Sequence, residues 1–348
     1  MQVVSSGLEG VCVGDSHISL VDGQAGRLIL RGFHLHQLGE KSFEELARFL
    51  WEGGACDEES LVQPLGEARV RVAPLLREAL PLAARLAPIE WLRLALDRLP
   101  DSQNPLDWVA ALGVALALRR NPQAQPEAKA DHVSDIARMA GLQFPDGLRQ
   151  YWICVAEHGM NASTFTARVV ASTRAGHRAA LSAALGALQG PLHGGAPGPV
   201  LDMLDELQRA PDAAAWFQHK LASGERLMGF GHRVYRVRDP RAEVLRLACQ
   251  KVSEQSSELA ERLRFAERME KLATSALAAH KPGRVLQTNV EYYTALLLEA
   301  IGFQREEFTA VFACGRVLGW LAHIFEQESE GRLIRPEVRY VGPMPDQG

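Results

Sequence analysis

Three of the histidines that stand beside glycines in this chain could do chemistry, and one of them sits among arginines. His158 precedes Gly159, and His193 lies between Pro191-Leu192 and Gly194-Gly195. His232 follows Gly231 in MGFGHRVYRVRDPR (residues 228–241), which also carries Arg233, Arg236, Arg238 and Arg241. Imidazole exchanges protons near neutrality, and the neutral ring offers one donor and one acceptor. Glycine lets a ligand or another backbone come close to that ring. Guanidinium forks match carboxylates and phosphates, so the third motif reads as an anion site with an imidazole at its centre. The chemistry these residues could do is proton transfer to, or polarisation of, an anionic substrate. Taken singly, each histidine also fits a capping or packing role, and the arginine-rich turn also fits a solvated surface.

Helices must position them. Between His158 and His193, residues Ala167, Val170, Ala171, Ala180, Leu181, Ala184, Leu185 and Leu188 form a small, apolar helical face suited to close packing, which leaves both imidazoles at helix ends. Near the N-terminus, HISLV and RLILR flank Asp22-Gly23 and Gly26, the punctuation of a β-hairpin. Ser42 and Glu45 have capping-box spacing ahead of a helix that should end at Gly53-Gly54. Prolines 64, 74, 81 and 88 divide residues 59–99 into short helices, and residues 108–118 read as a buried helix. Residues 121–130, NPQAQPEAKA, read as a loop or mobile segment. Residues 200–207, 242–277, 296–301 and 311–325 are again helical in pattern. The expected class is all-α with a minor N-terminal β-hairpin.

A chain of 348 residues suggests two domains, and 47% hydrophobic with 23% charged residues is ordinary for a soluble globular protein. The net charge of −4 argues against general nucleic-acid binding, so basic patches are specific anion sites. Five scattered cysteines without CxxC spacing support neither a disulfide framework nor a zinc site. The start lacks a secretory pattern, and the apolar stretch 106–118 is too short to span a bilayer. The expectation is a cytoplasmic protein with no membrane or metal role.

The ordered set GPLHGG, MGFGHRVYRVRDPR, NVEYY, GRVLGWLAHIFEQ and RLIRP, together with HGMNASTFTARVVAST at 158–173, resembles the citrate synthase family. The resemblance runs from GLEGV to RPEVRYVGP and weakens between about residues 88 and 148, where Ala87-Pro88-Ile89 stands in place of the family's His-Pro-Met. It implies a large helical domain (1–193 and 296–348) and a smaller one (194–295) that hinge together. It also implies condensation of acetyl-CoA with oxaloacetate followed by hydrolysis of citryl-CoA. Two alternatives stay open: a 2-methylcitrate synthase using propionyl-CoA, or a weakly active or inactive paralogue that binds CoA or a dicarboxylate.

The resemblance also implies roles. His193 would be the donor that steadies the enolate, Glu291 the base, and His232 the group that polarises the oxo acid carbonyl. Arg241, Arg316 and Arg335 would hold the carboxylates with His158 nearby, Arg335 being lent to a neighbouring subunit in a homodimer. Coenzyme A, a substrate and not a resident cofactor, would meet the backbone of Leu227, Met228, Gly229, Phe230 and Gly231, with Arg236 and Arg284 on phosphate. Arg316 lies within an apolar helical face, where an unpaired guanidinium is costly enough to require an anion partner. The main departure is Glu291 where the family has Asp, with Thr288 in place of proline and Thr294 where serine is common. One extra methylene shifts the carboxylate by about 1 Å, and such a misplacement can cost about 100-fold in rate.

Overall fold

The computed structural model describes residues 7, 8, 10–52, 60–100, 104–194, 197–232, 234–283 and 285–345. Fourteen α-helices and one small sheet make up the described residues. The hairpin forms as expected: β1 (Ser19–Asp22) pairs antiparallel with β2 (Arg27–Leu30), and a short β3 (Phe33–His34) extends the sheet in the order β1-β2-β3. Helices α1 (Phe43–Glu52), α2 (Val62–Ala83), α3 (Pro88–Arg98), α4 (Pro105–Arg120), α5 (His132–Ala140) and α6 (Pro145–Val155) follow. Next come α7 (Ala162–Ala171), α8 (His177–Leu188), α9 (Gly198–Arg209) and α10 (Ala213–Ala222). The chain ends with α11 (Pro240–Ser253), α12 (Ser257–His280), α13 (Val290–Ile301) and α14 (Phe308–Glu330).

Ser42 caps α1 as its spacing predicts: its Oγ accepts from Glu45 N at 3.1 Å, and Glu45 returns a carboxylate to Ser42 N at 2.6 Å. The expected stop at Gly53-Gly54 lies outside the described residues. Elsewhere tertiary packing overrides the local pattern. Pro74 and Pro81 sit inside an unbroken α2, although an internal proline costs a hydrogen bond and about 3 kcal/mol. Burial of Leu65, Ala68, Val72, Leu76 and Ala79, on a helix packed against α4, offsets that loss. The segment between His158 and His193 is two helices that break at Arg174 and Gly176, both with positive φ, and fold back on each other. The predicted run 242–277 likewise divides, because Ser256 Oγ accepts from Leu259 N and starts α12 anew.

Residues 121–130 are a pinned loop. Buried Arg69 pairs with Asp135 at 2.8 Å and donates to the carbonyls of Glu127 and Ala130 at 2.9 and 2.6 Å. The loop passes so near α2 that a Cβ on Gly66 would stand 1.9 Å from Ala128 O. The polar, proline-rich composition hid this because the pinning arginine lies far upstream in sequence.

At the centre runs α14, long and apolar enough to cross a bilayer yet 83% buried within the protein over its apolar window. It contacts α1, α4, α6, α7 and α8. Gly315 and Gly319 bring it hard against the end of α6: a Cβ would fall 2.9 Å from Trp152 Cδ1 at the first and 2.2 Å from Ala156 O at the second. That closeness lays Arg316, between them, onto Val155 O.

Candidate active site

His232 is fixed by its own turn. Its Nδ1 accepts from the backbone N–H of Val234 and of Tyr235, each at 3.0 Å. A nitrogen that accepts twice carries no proton, so the neutral ring holds its hydrogen on Nε2. Beside Nε2 stands Arg241 Nη2 at 3.3 Å. Two donors side by side can share one carbonyl or carboxylate oxygen. Burial, then the charge of Arg241, pulls the His232 pKa down to about 4, against the opposing pull of Asp239.

Arg241 and Arg316 bring two positive charges into this region by different means. Arg241, at the start of α11 after Pro240, is buried and bound to Asp239 through Nε at 3.1 Å and Nη2 at 2.8 Å. Burial disfavours its charge, but Asp239 more than restores it, so its proton is held more tightly than usual. Arg316, also buried, donates from Nε to Val155 O at 2.5 Å and lies 4.6 Å from the Phe312 ring. No carboxylate among the described residues lies within ion-pair distance of it. Burial draws its pKa down to about 10, with Glu157 opposing and Arg241 adding to the fall.

His158 lies where these charges meet. Its pKa is driven well below the usual imidazole value by burial first, then by Arg241, Arg316, His232 and His193. Its ring stands edge-on to His232 with centroids 5.8 Å apart. Behind it, buried Glu157 accepts from Ser19 Oγ at 2.8 Å and faces His323 Nε2 at 3.1 Å, tying this loop to the hairpin and to α14.

His193 follows α8 in a tight turn, its N–H bonded to Gly190 O at 2.9 Å. Gly194 is required there, since a Cβ would stand 2.3 Å from Leu188 O. The His193 Nε2 lies 2.8 Å from Ser163 Oγ, which also receives Trp320 Nε1–H at 3.1 Å and donates its own hydrogen to Asn161 Oδ1 at 2.8 Å. Burial, then Arg316, lowers the His193 pKa to about 4. All three imidazoles are therefore neutral at pH 7.

Glu291 opens α13, its backbone N–H capped by Asn289 Oδ1 at 3.2 Å. Its Oε2 is buried without a hydrogen-bond partner among the described residues. Burial raises its pKa, against the attraction of Arg241. A partly desolvated carboxylate with an unspent oxygen is suited to take a proton. No hydrogen bond joins Glu291 to His193 among the described residues.

The 227–231 loop is strapped to the turn that carries Glu291. Gly231 N–H donates to Gln287 O at 2.8 Å, Asn289 N–H to Gly229 O at 3.0 Å, and Asn289 Nδ2 to Gly231 O at 2.9 Å. Gly229 has φ +83°, and a Cβ there would be 2.7 Å from Tyr292 Cδ2. Leu227 is buried, and Met228 and Phe230 pack against the core from partly buried positions. Thr288 gives its hydroxyl to buried Glu270, which also takes the Tyr293 hydroxyl and pairs with Arg238 at 3.1 Å.

Of the predicted residues, His158, His193, His232, Arg241, Arg316 and Glu291 gather in one region. Arg236 is exposed beside the hairpin, its N–H donating to Gly23 O at 2.8 Å. Arg335 is exposed in the C-terminal segment and is not brought into this cluster. Arg284 lies outside the described residues. Sequence reasoning missed Ser163, Tyr235, Asp239 and Asn289. Asp239 and Asn289 carried a signal as caps, standing just before Pro240 and Val290; the contacts of Ser163 with His193 and Trp320 span 30 and 157 residues and carried none.

Comparison with known proteins decides the family. The family model described as "Citrate synthase, C-terminal domain" matches residues 7–337. The chain belongs to the citrate synthase family. A Mycobacterium tuberculosis relative named "Putative citrate synthase 2" is 39% identical, over 97% of this chain and 93% of its own. The crystal structure of citrate synthase from Thermotoga maritima superposes with a TM-score of 0.83 at 33% identity, covering 99% of this chain and 98% of that one. The Thermoplasma acidophilum citrate synthase, in a ternary complex with carboxymethyl coenzyme A and oxaloacetate, gives 0.83 at 25% identity, covering 100% and 98%. The all-α expectation thus holds for a citrate synthase fold, with the small sheet as its β addition.

Proposed function

We propose that the protein condenses acetyl-CoA with oxaloacetate and hydrolyses the citryl thioester to citrate and CoA. The observation that carries this reading is one cluster of three neutral imidazoles, two buried guanidinium groups and a desolvated carboxylate. Arg316, without an acidic partner among the described residues, and Arg241, held by Asp239, receive the two carboxylates of oxaloacetate, with His158 beside them. The Nε2–H of His232 and Nη2 of Arg241 point a pair of donors at the oxo group, which becomes more electrophilic.

Glu291 then removes a methyl proton of acetyl-CoA, while His193 donates a hydrogen bond to the thioester oxygen as charge develops there. The enolate carbon attacks the oxo carbon as the oxo oxygen takes the Nε2 proton of His232, which the proton removed by Glu291 then replaces; water cleaves the thioester, its oxygen going to the carbonyl carbon and a hydrogen to the departing CoA sulfur. Strapping of the 227–231 loop to Asn289 supports coupling of CoA binding to placement of Glu291, since adenine and carboxylate would rest on one hydrogen-bonded unit. Arg236, exposed beside the hairpin, would take a phosphate of CoA.

The acyl group is open to test because one methyl is worth only about 1–3 kcal/mol of discrimination. Thiol release from acetyl-CoA and from propionyl-CoA, each with and without oxaloacetate, separates the readings. Oxaloacetate-dependent release that favours acetyl-CoA supports citrate synthesis, and preference for propionyl-CoA supports 2-methylcitrate synthesis. No release from either makes the chain a binder.

A cytoplasmic homodimer completes the reading. Leu333, Val338, Tyr340, Val341 and Met344 are exposed in the C-terminal segment that carries Arg335. A second copy covering these side chains would receive that arginine. Light scattering that gives a monomer mass would refute it. Residues 194–295 would close on the rest to exclude water; a scattering profile unchanged by saturating oxaloacetate would count against closure.

A further inference from the structure

We propose that Tyr235 is a positioning residue that sets the tautomers of two imidazoles at once, so that both His158 and His232 offer an N–H to the oxo acid; this rests on the condensation reading. Its backbone N–H donates to His232 Nδ1 at 3.0 Å, and its hydroxyl stands 3.1 Å from His158 Nε2. The three rings form one cluster, with centroids 4.8 Å apart for Tyr235 and His232 and 5.6 Å for Tyr235 and His158.

Tyr235 is 2% exposed, so its phenolic hydrogen must be given to a protein acceptor or left unbonded at a cost. Among the described residues its one hydrogen-bond partner is His158 Nε2. Were His158 the donor at Nε2, the phenol would keep a buried hydrogen with nowhere to go. The phenol therefore donates, Nε2 accepts, and the neutral His158 carries its proton on Nδ1. Burial and the charges of Arg241 and Arg316 oppose the doubly protonated ring, which removes the remaining alternative. At His232 the tautomer is the reverse, because Tyr235 N–H and Val234 N–H both point at Nδ1. One side chain and its own amide thus turn two chemically equivalent rings into donors at different nitrogens.

The test is nitrogen-15 NMR of the ligand-free protein with labelled histidine, the His158 signals being identified by their loss in His158→Gln. The native chain should show His158 protonated at Nδ1 and unprotonated at Nε2, and His232 the opposite. Tyr235→Phe removes the hydroxyl and keeps the amide: His158 should shift toward the Nε2–H form while His232 stays as it was. In turnover the same variant should raise the oxo acid KM about tenfold, as for loss of one buried hydrogen bond, and leave the acyl-CoA KM in place. A native His158 protonated at Nε2, an unchanged tautomer in Tyr235→Phe, or an unchanged oxo acid KM would overturn the proposal. The native spectrum needs neither turnover nor a variant at Tyr235. It can therefore fail while the condensation reading stands, and it decides even if Tyr235→Phe does not fold.

Discussion

Asp239 grips Arg241 with both carboxylate oxygens, at 3.1 and 2.8 Å, and caps the helix in whose first turn Arg241 stands. Arg316, equally buried, has only a backbone carbonyl from Val155 and the face of Phe312. Two arginines of one proposed role thus enter the fold with opposite energetics.

The contrast predicts opposite effects on stability. Arg241→Met leaves the buried Asp239 carboxylate unpaired and should cost about 3–5 kcal/mol. Arg316→Met removes a charge with no acidic partner among the described residues, so its melting temperature should equal or exceed that of the native chain. Both variants should lose oxaloacetate affinity, Arg316→Met by about 10- to 100-fold for one charged hydrogen-bond partner. Calorimetry and titration with oxaloacetate measure the two effects separately.

Glu291 tests whether the longer carboxylate is built into this site. The turn that bears it is tied to Gly229 and Gly231, and Thr288 is anchored on Glu270. Shortening the side chain should therefore misplace the base: Glu291→Asp should lower kcat about 100-fold for a shift of about 1 Å. Glu291→Gln should lower it about 100- to 10,000-fold. A strong rise in Glu291→Asp would mean that the native site is impaired.

Ser163 governs which nitrogen of His193 carries a proton. Its oxygen has a single hydrogen, which here goes to Asn161 Oδ1, so Oγ faces His193 as an acceptor; His193 becomes a donor at Nδ1 when that hydrogen turns from Asn161 to Nε2. Ser163→Ala should then lower kcat about tenfold, for one lost hydrogen bond, with little change in oxaloacetate affinity. Single-turnover rates and oxaloacetate titration distinguish this from a general loss of structure.

Acid should destabilise the fold early. His193 and His232 have pKa values near 4 in the folded chain, against 6.5 for an ordinary imidazole, and His158 is also far below that value. A depressed folded pKa means that the unfolded chain binds more protons between about 4 and 6.5, so stability is full above 6.5 and lost as pH falls. Activity should fall in the acid range too, because Glu291, with its raised pKa, is protonated at a higher pH than an exposed glutamate. Melting temperature and kcat/KM measured from pH 8 down to pH 5 check both. A flat melting temperature between 6.5 and 5 would contradict the neutral, buried imidazoles.

His158, His193, His232, Arg241, Arg316 and Glu291, which the structure gathers, were legible because each stands in a local motif, whereas Arg335 stands in one too and is not brought into the cluster; capping spacing gave the start of α1. What sets their protonation was not legible. Trp320 reaches Ser163 across 157 residues, and Tyr235 reaches His158 across 77. Proline also misled: in α2 its local penalty was outweighed by burial against α4, a contact no short window contains. The polar segment 121–130 is the loop its composition implies, but its pinning was hidden in the same way, since Arg69 holds it from another helix.

The central claim is that His193 and Glu291 act on one methyl group. A crystal structure with oxaloacetate and an unreactive acyl-CoA analogue tests it most directly. The account predicts His193 Nδ1 within hydrogen-bond distance of the thioester oxygen, with the Glu291 carboxylate against the methyl carbon and the Arg241 and Arg316 forks on the oxo acid. Glu291 turned away from the methyl group, or His193 on the far side of the thioester, would contradict it.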